Sequence, residues 1–375
     1  MVKACAFLMP LRLGAGFRHE RERKPNSPYL LTQQKPNKVM KKLFLSLVAA
    51  LMAATATFAQ SSLLATLSHN GAITTYYGTS ALRDAYAKAV VGDIITLSSG
   101  TFTAVDIEKA ITLRGAGTGF DNLTQAEPTI IQGNFTIKTG KSKLTTIEGI
   151  FSNNTVFFQN SNITFLKSRF KIIKSPGSGD SSILSFIHCR IAENLKPGNG
   201  YWSDTSVSCV NSIVIFPENT SSGKSNFEFN NCIVYRGKWA NQDLYRATFK
   251  NSIFLVTTAV AMESSNLFNN TLGLYTDGTA NIFSNSTNST NTQIKGYSTV
   301  FKTFTSSYSD SETFELTDAA KAKYLGKDGT QVGIYGGNMP FDGTPTNPQI
   351  TKCNVAAKTT ADGKLSVDIE VQSAQ

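Results

Sequence analysis

Three loops of the sequence hold residue types that could bind or transform a sugar. "SPGSGDSS" (175–182) carries Asp180, and "KPGNGYWSDTS" (196–206) carries Tyr201, Trp202 and Asp204. "YRGKWANQDLYR" (235–246) carries Arg236, Lys238, Trp239, Asp243, Tyr245 and Arg246. Both tryptophans of the chain lie in these loops. Aromatic faces stack on the apolar side of a sugar ring, and carboxylates and cations bond its polar groups. Tyr201, Trp202, Asp204, Arg236, Lys238, Trp239, Asp243, Tyr245 and Arg246 are therefore the candidate binding set. The mechanical alternative is a tryptophan tucked onto the scaffold to hold a long loop.

No catalytic residue is assignable. His69 and His188 are the only histidines after residue 60; His69 has no visible partner, and His188 reads as a turn residue rather than a base. Cys189, Cys209, Cys232 and Cys353 show no CxxC spacing, so no metal site is expected. No Gly-rich phosphate loop is present, and no cofactor is implied.

The elements that position these loops come from a repeated phrase. "TFLKSRFKI" (164–172), "SFIHCRIAE" (185–193), "SCVNSIVIF" (208–216), "EFNNCIVYR" (228–236), "TFKNSIFLV" (248–256) and "LFNNTLGLY" (267–275) align, and "IFSNSTNS" (282–289) reads as a degenerate last copy. Their leading residues Phe165, Phe186, Cys209, Phe229, Phe249 and Phe268 are spaced 21, 23, 20, 20 and 19 apart. A period near twenty with internal alternation of two means stacked coils of strand. Two positions on stand Lys167, His188, Asn211, Asn231, Asn251 and Asn270, at a sharp turn where asparagine tolerates left-handed backbone. The asparagines are expected to form a ladder of amides bonded between coils. A column of small residues follows: Ser168, Cys189, Ser212, Cys232, Ser252 and Thr271. Cys189 and Cys232 share it two coils apart, beyond disulfide reach, so buried free thiols are expected.

The reading is an all-β, right-handed parallel β-helix, and over roughly residues 80–305 the pattern resembles the pectin-lyase-like β-helix family of secreted bacterial proteins. "SALRDAYAKAVVGDIITLSSGTF" looks like that family's N-terminal cap: a helix at about 79–91 with Leu82, Ala85, Tyr86, Ala89 and Val90 on one face, stopped by Gly92, then a strand Ile94–Leu97. The resemblance implies action on acidic polysaccharide along an outward sheet. Yet the Asn-Thr-Asp, Asp-Asp, Gly-His-Gly and Arg-Ile-Lys signatures of its hydrolases are missing from this sequence. Ca²⁺ enters only if the chain is a lyase, which needs clustered carboxylates that the repeat strands do not supply.

"MKKLFLSLVAALMAATATFAQ", beginning at Met40, has the basic start, apolar run and small-residue end of a signal peptide. Residues 40–59 are read as that leader, and 1–39 as a non-native upstream extension or a disordered one, with no transmembrane anchor in the mature chain. Residues 1–59 hold ten Lys/Arg and two Asp/Glu, a net of +8, leaving about +2 of the whole chain's +10 for the remainder. The basic balance that would suggest nucleic acid therefore sits in the leader. Export to the periplasm, cell surface or medium is expected.

The solenoid with its cap is assigned to 60–327 and a linker with a β tail to 328–375. Outward positions change along the coils, from Arg169, Lys171, Arg190 and Ala192 to Ile213, Ile233, Ile253 and Leu272. Such an apolar stripe needs a cover. Part of 330–372, which includes two strand-like runs around the turn at Asp362–Gly363, is the expected one, and a partner protein on Ile213, Ile233, Ile253 and Leu272 the alternative. Three functions remain: a non-catalytic glycan-binding or cell-envelope protein, ranked first; a divergent polysaccharide lyase or hydrolase; and a structural or adhesive surface protein.

Overall fold

Each copy of the repeat becomes two short strands separated by one residue in the left-handed region. Asn226–Asn230 leads through Asn231, with φ of 52°, into Ile233–Gly237. Lys167, His188, Asn211, Asn251 and Asn270 take the same role with φ of 46, 53, 43, 49 and 47°. A computed structural model describes residues 63–372, except 120–126, 178, 199–200, 238–243, 286–289, 307, 345, 348, 357 and 359–361. Residues 1–39 and the leader at 40–59 lie outside the described residues.

The paired strands stack into two sheets of eleven ordered strands, a parallel β-helix of about nine turns. The register follows the sequence phrase. Phe165, Phe186, Cys209, Phe229, Phe249 and Phe268 are successive partners in the first sheet. Phe170, Ile191, Val214, Val234, Phe254 and Gly273 are successive partners in the second. The first column stacks ring on ring at 4.7 Å (Phe165–Phe186), 4.9 Å (Phe229–Phe249) and 4.6 Å (Phe249–Phe268), close to the coil rise. Gly273 breaks the apolar column because Phe283 occupies its space: a Cβ there would meet the Phe283 ring at 2.8 Å. Ile282 and Phe283 are thus buried at a turn, and the last strand of the second sheet is Thr292–Lys295.

The small-residue column, not the asparagine column, bonds coil to coil. Ser212 Oγ donates to the carbonyls of Phe186 and Val210 and accepts from the Cys189 N–H at 3.0 Å. Ser252 repeats this with Phe229, Lys250 and the Cys232 N–H. Cys189, Cys209 and Cys232 are buried free thiols, and burial pushes Cys189 and Cys232 up to about 12.

Helix α1 (Ala81–Lys88) buries Ala81, Leu82 and Ala85 at the first strands of the solenoid. It is shorter than the sequence suggests, and Val90 is exposed rather than on its buried face. Ala89 is already extended, and the Asp93 carboxylate accepts the Val90 N–H at 2.8 Å, turning the chain into the strand Ile94–Leu97. Ahead of α1 stands an antiparallel hairpin, Leu64–His69 and Ala72–Tyr77, that extends the first sheet beyond its parallel part.

The apolar stripe is covered by the chain itself, so no partner protein is needed on Ile213, Ile233, Ile253 and Leu272. The cover starts at Tyr297, well before the boundary at 328. Tyr297, Val300, Phe301, Phe304, Phe314 and Leu316, then Val332 and Ile334, form with the stripe a second core on the outer side of the sheet. It includes helix α2 (Asp318–Lys323), capped by Thr317 Oγ1 accepting the Ala320 N–H. The strands "IVI" and "IFLV" are buried on both faces, which explains their unbroken apolar sequence. The strand Gln349–Val355 pairs antiparallel with Val367–Gln372, and Val367, Ile369 and Val371 of the second strand are exposed.

Residues 326–347 then run back along the left-handed column as a strap. Asn251 Oδ1 accepts the Lys327 N–H, and Asn211 Nδ2 donates to the carbonyls of Ile334 and Gly336 at 2.7 and 2.8 Å. His188 Nε2 meets the Met339 carbonyl at 3.1 Å, and Lys167 Nζ bonds Asp342 at 2.8 Å and the Thr344 carbonyl at 2.9 Å. Asn347 Nδ2 reaches the Gly115 carbonyl at 2.6 Å, well up the solenoid. The amides of Asn211 and Asn251 thus serve the strap, which corrects the expected ladder. Gly336 is required at the contact, because a Cβ would stand 1.8 Å from the Gln331 carbonyl oxygen.

Ile233→Asp or Ile253→Asp should destabilise the protein by about 4 kcal/mol or more, since each places a charge between two apolar layers. The drop in urea midpoint and new proteolytic cuts within 297–341 measure it; an unchanged cleavage pattern would rule the packing out. Asn211→Gly should lose only the two strap bonds, whereas Asn211→Ala should lose about 1–2 kcal/mol more through left-handed strain. Equal thermal stability of the two variants would refute the turn role.

Candidate functional site

The candidate loops all leave one corner of the solenoid, between a second-sheet strand and the first-sheet strand of the next coil. The first two are laced together there, and the second is tied to the segment before Ser225. The Asp204 N–H donates to the Asp180 carbonyl, and the Lys224 N–H to the Ser203 carbonyl. Asp180 is buried, and its carboxylate accepts from the Asn160 N–H at 2.6 Å, Ser182 Oγ at 3.0 Å and Thr205 Oγ1 at 3.2 Å. Burial raises its pKa in spite of these bonds.

Several residues nominated for binding are braces. Arg246 holds the carbonyls of Ser225, Ser221 and Thr220 at 3.1, 3.2 and 2.6 Å. Arg236 is buried and donates to the Pro217 carbonyl. The Tyr245 backbone is clamped from both sides by Asn219, a residue the sequence reading did not single out. Lys238, Trp239 and Asp243 lie outside the described residues. Tyr201, Trp202 and Asp204 are solvent-facing. Trp202 is 75% exposed, and the Tyr201 ring stands edge-on to it at 5.2 Å.

The loop of Tyr201 and Trp202 follows the strand Arg190–Lys196, whose sheet offers a second cluster. The outer face of these early coils carries the half-buried Phe151, Phe157, Arg169, Lys171, Lys174 and Lys196. Arg169 lies over the Phe151 ring at 4.6 Å and pairs with Asp310. Lys174 Nζ stands 5.5 Å from the Phe157 ring centre, and Lys196 is its register neighbour. Lys171 pairs with Glu193 at 3.1 Å and Lys196 with Glu218 at 3.0 Å. A groove of about 330 Å³ opens where this face meets Tyr308 and Asp310 of the cover. Its rim is fixed by Arg190, which is buried, stands 5.8 Å from the Tyr308 ring centre and donates to the carbonyls of Asp310 and Glu312. Burial pushes the Tyr308 phenol up to about 12, so it stays protonated and donates to Asp310 Oδ1 at 2.8 Å. Arg169, Lys171 and Arg190 were legible as outward residues; the phenylalanines beneath them and the cover's contribution were not.

Neither histidine stands among these groups. His69 pairs with Asp93 at 2.7 Å at the cap. Burial of Asp93 works against its charge, yet the Val90 N–H and His69 hold its carboxyl below the ordinary range. His188 is under the strap. Among the described residues, no group of three His, Cys, Asp or Glu is placed to hold a metal ion, and no helix is long and apolar enough to cross a membrane. No family model, curated protein or solved structure matches the chain.

Burial lowers the His188 pKa, with Lys167 adding to the effect and Asp342 opposing it. Because Nε2 donates to the Met339 carbonyl, Nδ1 is the bare nitrogen, and it is buried without a partner. The unfolded ring takes a proton near its ordinary value of 6.5, whereas the folded ring resists it. The folded state then binds fewer protons, so stability is full above that value and falls as pH drops below it, until the folded ring itself titrates. Asp342 is held below its ordinary value: burial alone would raise it, and the Lys167 bond overrides that, so its own loss begins only under pH ~4. His188→Gln should flatten the pH dependence of the urea midpoint below the ordinary histidine value of 6.5. An unchanged slope would refute the assignment.

Proposed function

We propose that the chain is an exported, non-catalytic glycan-binding protein of the cell envelope, related to the pectin-lyase-like β-helices. It takes acidic polysaccharide along the outer face of the second sheet in the early coils. The observation that carries this reading is the Tyr201–Trp202 pair, kept in water on a braced loop. An unburied indole forgoes roughly 2–3 kcal/mol of apolar burial, which a sugar face would restore. Beyond the loop, Lys174 and Lys196 at the strand end, and Arg169 and Lys171 further along the same face, supply cations, with Lys174 and Arg169 over aromatic rings. Such a strip suits a chain of uronate units. Asp180 supports binding over acid–base chemistry, since its buried carboxylate is committed to loop donors.

Affinity electrophoresis of the purified protein in gels containing polygalacturonate, alginate or a neutral glucan tests the reading. Retardation by an acidic polymer should weaken with salt. Trp202→Ala should lower affinity about 5–20-fold, and Lys174→Ala less. No retardation by any polymer overturns the binding reading. Release of unsaturated uronate that stops with a chelator overturns the non-catalytic one.

A further inference from the structure

The strand Ala72–Tyr77, "AITTYY", is the outermost of the first sheet, and its far edge has no strand partner among the described residues. Solenoid ends expose a row of unpaired backbone groups, and proteins usually protect such edges with charge, proline or a bulge. This strand carries none of the three and pairs in unbroken register with Leu64–His69. Its side chains are also unusual. Ile73 is 72% exposed and Tyr77 is 68% exposed, among the most open large apolar residues of those described, and both lie on the outer face with Thr75 between them. Val90 and Val91, just after α1, add two more exposed apolar groups at this end.

We propose that this edge is a homodimer interface, in which Ala72–Tyr77 of two copies pair antiparallel about a two-fold axis through Thr75. The alternation of faces dictates the register, because residues opposite one another in an antiparallel pair must point to the same side. An axis through Thr75 sets Thr75 against Thr75, and sets Ile73 of each copy against Tyr77 of the other. The two exposed apolar groups then cover each other as aromatic–β-branched pairs, flanking a threonine pair, and all three are favourable cross-strand combinations. No side chain of the strand carries charge to oppose the approach. The pairing joins two eleven-stranded sheets into one and leaves the Tyr201–Trp202 loop and the basic face outside the contact. This inference is independent of the glycan reading.

Sedimentation velocity of the purified protein across ~1–100 µM is the test. Wild type should dimerise in this range. Thr75→Lys and Thr75→Glu each place like charges opposite one another, and each should weaken the dimer about tenfold or more with an unchanged far-UV spectrum. An equimolar mixture of the two variants should recover it, because an ammonium on one copy then faces a carboxylate on the other across the axis. A wild type monomeric throughout overturns the proposal, as does a dimer that both substitutions leave intact. Two monomeric variants that fail to combine overturn it as well.

Discussion

One left-handed residue per coil is the constraint on which the rest of this structure depends. At Lys167, His188, Asn211, Asn231, Asn251 and Asn270 the backbone turns within a single residue from one sheet into the other. Left-handed backbone is unfavourable for most side chains by about 1–2 kcal/mol, and asparagine bears it best. Because the turn falls at the same place in each of these six coils, the two columns beside it fall into fixed registers. The phenylalanine stack and the serine–cysteine ladder follow from that. The corner loops depend on it too, since they stack only if the strands feeding them do.

The same column has a second use that links fold to site. A left-handed residue on an outer corner projects its side chain away from the core, and here those side chains hold the strap. The strap continues from the cover, and the cover supplies Tyr308 and Asp310 to the groove. The outer face of the second sheet is consequently divided. Its later half is a buried interior with Ile213, Ile233 and Ile253, and its earlier half carries half-buried cations, two of them over phenylalanine rings. The division follows side-chain type at equivalent positions: Arg169 and Arg190 occupy the column that Ile213 and Ile233 occupy further on.

How much of this was legible in the sequence depends on whether a signal repeats. The solenoid, its register and the left-handed turns are written six times over, and strand partners match the aligned phrase residue for residue. The cover is written once, by residues without strand alternation. Tyr297, Val300, Phe301 and Phe304 show an apolar spacing of three and four that was open to notice, yet they form turns and not a helix. The hairpin before α1 also lacks a repeat. At the candidate site, the sequence identified the exposed Tyr201–Trp202 pair but could not separate it from Arg236 and Arg246. An arginine bonded to backbone carbonyls and one free for a ligand have the same one-letter code. The asparagine column illustrates the opposite error, since its turn role was legible while its amides' partners, a hundred residues away, were not.

The strap also alters what kind of polymer this solenoid is. A bare solenoid is a one-dimensional stack in which each coil knows only its neighbours. Here residues near the end of the chain bond Asn251, Asn211, His188, Lys167 and finally the coil at Gly115, so five separate turns share one late-made fastening. During synthesis the coils emerge first and the fastening last. Until it arrives, the row from Ile213 to Leu272 lies open to water and to other chains, in the condition that chaperones recognise. Completion of the molecule is therefore a discrete event, timed by the appearance of its final quarter, and a truncated copy would carry its own mark of incompleteness.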